Sequence, residues 1–246
     1  MELNVDLCLF DLDGTLVNTI GAAEAAWIQL CKKENVDPVE LFKFSHGVRT
    51  TDVLAKFFPN VDNTDNKGVK ELESAIANDF KHSVRLVSGS KDLLLSLDID
   101  TETNEKFQER KWAIITSGSP YCVFSWFDNI LKEVKKPDIF ITSFDVTKGK
   151  PHPEGYAKAK SDLCKVWELD ALKTKAVVFE DAPAGLQAGK AMGALTIGIT
   201  SSYDKALLFE AGADYVVNDL SQVKVLRNTL AGGITLKIIE PLTKGI

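Results

Sequence analysis

The chain has 246 residues, of which 45% are hydrophobic, and it carries a formal net charge of −6 at pH 7. This length allows one sizeable core with a smaller domain, while the acidic balance and the absence of a basic block argue against nucleic acid as a partner. The sequence shows no apolar stretch suited to a membrane span or a signal peptide, and its four widely spaced cysteines are typical of a reduced, cytoplasmic protein.

The first predicted strand, Asp6–Phe10, is a short apolar segment that is followed by two carboxylates, Asp11 and Asp13. In open α/β sheets, ligands bind beyond the carboxyl ends of the strands. Two acids at this place repel each other unless a cation offsets their charge, and Mg²⁺ prefers oxygen ligands. An acidic turn explains the same residues. An EF-hand loop does not, because the acid at its last position is missing.

Six short apolar segments recur along the chain, and most are separated by segments with helical spacing. They are Leu7–Phe10, Trp112–Ile115, Ile139–Ile141, Ala176–Phe179, Leu195–Ile199 and Tyr215–Val217. This alternation predicts an α/β fold with a doubly wound, Rossmann-like parallel sheet that helices cover on both faces. The polar segment Asp98–Glu109 is predicted to be a solvated loop, and the tail after Gly232 shows no pattern.

The interval from Thr19 to Val87 follows a different pattern and contains no predicted strand. Its apolar residues recur with helical spacing, which predicts helices over Ile20–Lys33, Val53–Phe58 and Val69–Lys81. We interpret residues 19–87 as an α-helical cap domain inserted after the first strand. Residues 1–18 and 88–246 then form the α/β core.

Three later segments also place polar groups where a predicted strand or loop ends. Thr116 and Ser117 follow a strand and could bind an anion, although they suit an ordinary helix cap equally well. Lys150 precedes two prolines that hold it in an extended segment, while a surface role is common for lysine. Glu180 and Asp181 follow another buried strand. Burying this acid pair unpaired would be costly and implies a cation, whereas a helix N-terminus would explain Asp181 alone.

Taken in chain order, these pieces resemble the four motifs of the haloacid dehalogenase superfamily. Residues 11–15 are similar to its first motif, Thr116 to the second, Lys150 to the third and Glu180-Asp181 to the fourth. Only the interval after the first motif can hold an extra domain, as in the members with a helical cap. The resemblance implies a nucleophilic Asp11 and a general acid–base Asp13, with Thr116 and Lys150 holding the phosphoryl oxygens.

The same resemblance implies a Mg²⁺ cofactor. Its ligands would be the carboxylates of Asp11 and Asp181, the backbone carbonyl of Asp13, and Glu180 either directly or through water. Dehalogenases of this superfamily lack an acid at the place of Asp13. Its presence here favours phosphate monoester hydrolysis or phosphomutase chemistry.

Several segments resemble, more narrowly, the yeast 2-deoxyglucose-6-phosphate phosphatases, while glycerol-phosphate phosphatases share fewer of them. The segments are Asp6–Thr15, Phe42–Arg49, Asn63–Gly68, Trp112–Pro120, Lys150–Tyr156 and Gly198–Lys205. This resemblance implies a small sugar or polyol phosphate as the substrate. A phosphomutase similar to β-phosphoglucomutase, a glycerol-phosphate phosphatase and an inactive binding module are the alternatives.

Three residues are candidates for substrate contact in addition to the motif residues. Arg49 lies beside the turn that Gly47 permits in the helical insert, although an exposed arginine would fit the same pattern. Ser117 follows Thr116, and Asn18 lies near the expected hinge into the cap. We expect a monomer that acts on a small phosphorylated substrate and has neither a nucleic-acid nor a membrane partner.

Overall fold

A six-stranded parallel sheet forms the centre of the molecule, in the order β6-β5-β2-β7-β8-β9. The computed structural model describes residues 1–245. The strands are β1 (Glu2–Val5), β2 (Leu7–Phe10), β3 (Val17–Asn18), β4 (Arg85–Leu86), β5 (Trp112–Ile115), β6 (Phe140–Ile141), β7 (Ala176–Glu180), β8 (Leu195–Ile199), β9 (Tyr215–Val217), β10 (Val223–Asn228) and β11 (Ile234–Ile238). The six predicted strands are confirmed to within one residue at their ends.

Helices cover both faces of this sheet. They are α1 (Ile20–Glu34), α2 (Pro38–Ser45), α3 (Thr50–Phe57), α4 (Lys67–Asn78), α5 (Ser90–Leu97), α6 (Pro120–Val123), α7 (Ser125–Asp128), α8 (Glu154–Val166), α9 (Pro183–Ala191) and α10 (Lys205–Glu210). Successive residues of β2 point to opposite faces, so Leu7 and Leu9 pack with α8 and α9, whereas Cys8 and Phe10 pack in the core that includes α5. The predicted doubly wound α/β class is therefore confirmed.

Helices α1–α4 all lie between β3 and β4, two short strands that pair antiparallel with Val17 opposite Leu86. The chain thus leaves and rejoins the core at adjacent points. The prediction that residues 19–87 contain no strand is wrong at β4, because two residues give no periodic signal. Helix α2 was not predicted, although Asp37 caps its first turn and Pro38 begins it. The boundaries of the cap remain a prediction.

A second, antiparallel sheet in the order β1-β11-β10 lies at the chain termini. Strand β11 begins just after Gly233, so the prediction of an unpatterned tail is wrong for Ile234–Ile238. Its residues alternate between the inside and the outside, with Ile234, Leu236 and Ile238 buried. Five residues are too few for the alternation to stand out in a tail that also contains Gly and Pro.

The predicted loop Asp98–Glu109 is exposed along much of its length, but Asp98, Asp100 and Phe107 are buried. Asp98 is 2% exposed, and its carboxylate accepts hydrogen bonds from Arg110 at 3.0 Å and from the Trp112 indole at 2.9 Å. The prediction of a wholly solvated loop is therefore wrong at Asp98, because the arginine and the indole satisfy its charge inside the protein. Among the helices of residues 1–245, none combines the length and the apolar character that a bilayer crossing requires.

Candidate active site

Three neighbouring strands of the parallel sheet end side by side, and predicted site residues stand at all three ends. Asp11 follows β2, Thr116 follows β5, and Glu180 is the last residue of β7. Phe10, the last residue of β2, is in register with residues of both neighbouring strands. Because parallel strands in register end at the same edge, these side chains converge where an α/β sheet places its ligand site.

Lys150 lies in the loop before α8 and extends its ammonium group into this edge. Its Nζ atom donates to Asp11 Oδ1 at 2.6 Å, to Glu180 Oε1 at 2.6 Å and to the carbonyl of Ile115 at 3.0 Å. Burial favours the neutral form of Lys150, but the charges of Asp11 and Glu180 outweigh it and raise the pKa above its ordinary value. Lys150 is thus a buried cation held between two carboxylates.

Glu180 is fully buried and does not stand unpaired. Besides Lys150, the hydroxyl of Tyr156 donates to Glu180 Oε1 at 2.7 Å. A Cβ atom on Gly185 would collide with the Glu180 carboxylate, so α9 can pass this close only with a glycine there. The sequence argument that the buried acid pair implies a cation agrees with this contact, because the Lys150 ammonium is a cation beside Glu180. Tyr156 was not predicted, although it lies inside a segment that the resemblance covers.

Asp181, the next residue, is also buried but accepts only hydroxyl hydrogen bonds from side chains. Thr15 donates to Asp181 Oδ1 at 3.3 Å, and Ser202 donates to Oδ2. Burial and the neighbouring charge of Glu180 raise the pKa of Asp181 to about 7, although Ser202 and Lys150 act in the opposite direction. Ser202 was not predicted. It lies in the loop after β8, within another segment of the resemblance.

The carboxylates of Asp11, Glu180 and Asp181 suit a divalent cation. Each offers an oxygen, and these oxygens lie within 4.8 Å of one another. Lys150 offsets only part of their charge, and burial together with Glu180 raises the pKa of Asp11 well above its ordinary value. Gly14, with φ +95°, runs so close that a Cβ atom would collide with the Asp181 carboxylate. A compact set of hard oxygen donors with excess negative charge fits Mg²⁺.

Asp13 is held separately from this cluster. Its carboxylate accepts hydrogen bonds from Thr19 Oγ1 and Thr116 Oγ1, each at 3.0 Å. The Thr116 hydroxyl also accepts a hydrogen bond from the backbone N–H of Gly118 at 2.9 Å. Burial raises the pKa of Asp13, while the two threonines limit the rise. Hydrogen bonds to both of its oxygens therefore fix the orientation of the Asp13 carboxylate. Because its pKa is raised, Asp13 keeps its proton to a higher pH than an exposed aspartate does.

A cavity opens between this edge of the sheet and helices α1–α4. On the sheet side it is lined by Asp11, Asp13, Thr116, Ser117 and Asp181, with Trp27, His46, Glu24 and Glu73 among the lining residues opposite. Lys150 and Glu180 lie outside the lining and support the residues that form it. A substrate in this cavity would thus meet these three carboxylates, these two hydroxyls and, across from them, the helical segment.

Ser117 and Asn18 differ in their relation to the cavity. Ser117 lines it, and its hydroxyl donates to the carbonyl of Gly47 at 2.8 Å, which connects the sheet edge to the helical segment. Asn18 is outside the lining residues, and its side-chain oxygen accepts from the backbone N–H of Ile20 at 3.3 Å. Its amide thus organises the start of α1.

Arg49 is also outside the lining residues of the cavity. Its guanidinium donates to both oxygens of Asp52, at 2.8 and 3.0 Å, and also to the carbonyls of Val146 at 3.1 Å and Thr147 at 3.2 Å. Gly149 leaves room for this side chain, because a Cβ atom there would approach Arg49 Nε to 2.6 Å. In this structure Arg49 fastens α3 to the loop that carries Lys150.

Comparison with known proteins agrees with this geometry. The model of the haloacid dehalogenase-like hydrolase family matches residues 5–193. The chain belongs to this family. It is 59% identical over 244 residues to 2-deoxyglucose-6-phosphate phosphatase 2 of Saccharomyces cerevisiae, and the match covers 99% of each chain.

Two further comparisons show how far the likeness extends. Glycerol-1-phosphate phosphohydrolase 1 of S. cerevisiae is 40% identical over 228 residues, which are 92% of this chain and 86% of that one. A crystal structure of a hydrolase from Pseudomonas syringae superposes with a TM-score of 0.68 at 25% identity, covering 87% of this chain and 94% of that one. The superfamily resemblance inferred from the four motifs is confirmed.

A further polar residue of this haloacid dehalogenase-like hydrolase, Glu73, was also not predicted from the sequence. Glu73 on α4 is 2% exposed and lines the cavity. A signal was present, because Glu73 follows Val69 by four residues and precedes Ile76 by three, which places it on the buried stripe of the helix. An acid on an apolar stripe is unusual enough to mark a site.

Proposed function

We propose that this protein is a Mg²⁺-dependent phosphatase that hydrolyses small sugar or polyol phosphate monoesters through an aspartyl-phosphate intermediate. The observation that carries the proposal is the position of the Lys150 ammonium, 2.6 Å from both Asp11 and Glu180 just below the floor of the cavity. The similarity to a 2-deoxyglucose-6-phosphate phosphatase and a glycerol-1-phosphate phosphohydrolase supports this class of substrate.

In the first half of the reaction, a carboxylate oxygen of Asp11 attacks phosphorus in line with the bond to the leaving oxygen. As that bond breaks, Asp13 gives its proton to the leaving alkoxide, which departs as an alcohol. The raised pKa of Asp13 suits this step, because the carboxyl group keeps its proton to a higher pH than an exposed aspartate and can donate it. Thr19 and Thr116 fix the orientation of Asp13.

In the second half, the ionised Asp13 takes a proton from water, and that water attacks the phosphorus of the aspartyl-phosphate. The bond between Asp11 and phosphorus breaks, which restores the Asp11 carboxylate and releases inorganic phosphate. Lys150 keeps Asp11 oriented and balances charge throughout. Thr116, whose hydroxyl donates to Asp13 in this structure, would hold a phosphoryl oxygen.

Asp11, Asp181, the backbone carbonyl of Asp13, and Glu180 directly or through water would hold the Mg²⁺ ion. When bound, it supplies positive charge that keeps the carboxylates ionised and balances the phosphoryl oxygens. We further propose that residues 19–87 act as a cap over the site, and that the protein works as a cytoplasmic monomer. Its four cysteines are free and buried, as in a reducing compartment.

The test is phosphate release from 2-deoxyglucose 6-phosphate, other hexose phosphates and glycerol phosphate, each with Mg²⁺ or with EDTA. We expect release with Mg²⁺ and a loss of turnover with EDTA that added Mg²⁺ restores. Asp11→Asn should abolish release, whereas Asp128→Asn, at an exposed residue outside the site, should leave it unchanged. Isomerised sugar phosphate without free phosphate would instead indicate the phosphomutase alternative. Unimpaired turnover in Asp11→Asn would contradict the proposed nucleophile.

A further inference from the structure

The wall of the cavity that faces Asp11 has an unusual charge. Two carboxylates of the helical segment line it, Glu24 on α1 and Glu73 on α4. Within residues 1–245, no lysine or arginine is among the residues that line this cavity. The wall that meets the leaving group therefore carries negative charge without a cation beside it.

Glu73 is held entirely by uncharged donors. The Thr50 hydroxyl donates to Oε1 at 2.7 Å, and Ser119 donates to Oε2 from its backbone N–H at 2.8 Å and from its hydroxyl at 2.5 Å. Burial raises the pKa of Glu73, while these hydrogen bonds limit the rise. A carboxylate accepts about four hydrogen bonds. One acceptor position of Glu73 is thus left for a hydroxyl in the cavity.

Among the described residues 1–245, Glu24 likewise has no lysine or arginine paired with it. Its neighbour is His46, whose Nε2 atom lies 3.5 Å from Glu24 Oε1. Burial lowers the pKa of His46, and the charge of Glu24 reverses only part of that shift, so the imidazole is neutral at neutral pH. The negative charge of Glu24 is therefore not cancelled within the cavity.

Two basic side chains that lie outside the lining are committed to other partners. Lys150 donates hydrogen bonds to Asp11 and Glu180 below the floor of the cavity. Arg49 donates hydrogen bonds to Asp52 and to backbone carbonyls outside the cavity lining. Neither is available to a negative group on the part of the substrate that leaves. An anionic leaving group would meet like charges in a partly desolvated cavity, where such repulsion is strong.

We propose, resting on the phosphatase function above, that Glu24 and Glu73 are specificity-determining residues that accept hydroxyl groups and exclude leaving groups bearing a carboxylate or a second phosphate. The protein then acts on monophosphates of uncharged polyols and sugars. A phosphomutase must hold a sugar that carries a second phosphate while the first is transferred. Glu24 and Glu73 would repel that second phosphate, so this site disfavours phosphomutase chemistry.

The test uses pairs of phosphate monoesters that differ at one terminal carbon, where a carboxylate replaces a hydroxymethyl group. Sorbitol 6-phosphate and 6-phosphogluconate share a carbon skeleton but differ at C1, where one has a hydroxymethyl group and the other a carboxylate. Glycerol 3-phosphate and 3-phosphoglycerate form a shorter pair of the same kind. For the wild type, we expect kcat/KM to be about tenfold or more higher for the member of each pair that lacks the carboxylate.

Glu73→Gln and Glu24→Gln keep the size of each side chain and remove its charge. Each should narrow the preference for the uncharged substrate, and the double variant should bring the two members of a pair to within about threefold. Glu71→Gln changes an exposed acid on the same helix and should leave the preference unchanged. Thermal melts check folding. If Glu73→Gln does not fold, the substrate preference of Glu24→Gln alone tests the proposal. The Glu24 side chain is 38% exposed, so its replacement should not prevent folding.

The outcomes distinguish this inference from the proposed function. If the wild type hydrolyses none of these substrates nor the hexose phosphates, the proposed function fails. If it hydrolyses both members of each pair equally well, the function stands and the inference is overturned. A preference that neither folded glutamine variant changes would also overturn it.

Discussion

Replacing Lys150 with methionine is the sharpest test of the buried charge arrangement. The substitution keeps most of the side-chain volume but removes the ammonium group that lies 2.6 Å from Asp11 and 2.6 Å from Glu180. Asp11, Glu180 and Asp181 then share a buried site without that cation. Removing one partner of a buried ion pair costs about 3–5 kcal/mol, and two partners lose their cation here, so we expect the upper end.

The assay is urea unfolding at pH 7.5, first in EDTA and then with Mg²⁺. In EDTA, the free energy of unfolding of Lys150→Met should fall by about 5 kcal/mol. Mg²⁺ at a hundred times its dissociation constant should raise the free energy of unfolding by about 2.7 kcal/mol, because the ion binds only the folded form. Lys148→Met, two residues away at an exposed lysine, should change stability by less than about 0.5 kcal/mol. A loss below about 1 kcal/mol for Lys150→Met in EDTA would refute this account of the site.

Three further predictions follow from the same contacts. Asp13→Asn should lower kcat by about 10²–10⁴-fold in stopped-flow phosphate release, because it removes the general acid–base group; a loss of less than about tenfold would contradict that role. The pKa of Asp181 lies near 7 without metal, above its ordinary value, so the folded state binds the extra proton and stability should decline as pH rises from about 4 to about 7. Thermal melts in EDTA measure this decline, and added Mg²⁺ should oppose it at pH 7.5; a flat profile would contradict the raised pKa. Arg49→Ala should reduce kcat/KM by the same factor for hexose 6-phosphates and for p-nitrophenyl phosphate, because Arg49 fastens the helical segment to the core. The loss of transition-state stabilisation should be about 1–3 kcal/mol for both substrates. A larger loss on hexose phosphates would instead support direct substrate contact.

The parallel sheet and the meeting of the motif residues could be predicted because both follow from local pattern. Each buried strand is a short apolar run, and the carboxyl ends of parallel strands must lie at one edge. Asp11, Thr116 and Glu180 therefore come together even though long intervals of chain separate them, and Lys150 reaches Asp11 and Glu180 from the loop before α8. Strand β11 could not be predicted in the same way, since it is not a continuous apolar run: its buried residues alternate with Thr235 and Lys237 over only five positions.

Side-chain direction was the part that the sequence left open. Nothing in the chain order shows that Arg49 turns to Asp52 and to the loop before Lys150 rather than into the cavity. The partners of Glu73 are equally hidden, because Ser119 comes from a different element. Such contacts depend on how the helical segment packs on the core, which periodicity within one helix does not encode.

Trapping the phosphorylated enzyme tests the central claim most directly. The protein is mixed with a hexose 6-phosphate and Mg²⁺, quenched in acid within milliseconds, digested and analysed by mass spectrometry. The account predicts that one phosphoryl group appears on the peptide containing Asp11, decays at the rate of phosphate release, and is absent from Asp11→Asn. Turnover with no phosphoryl group on that peptide, or with the group on another residue, would contradict it.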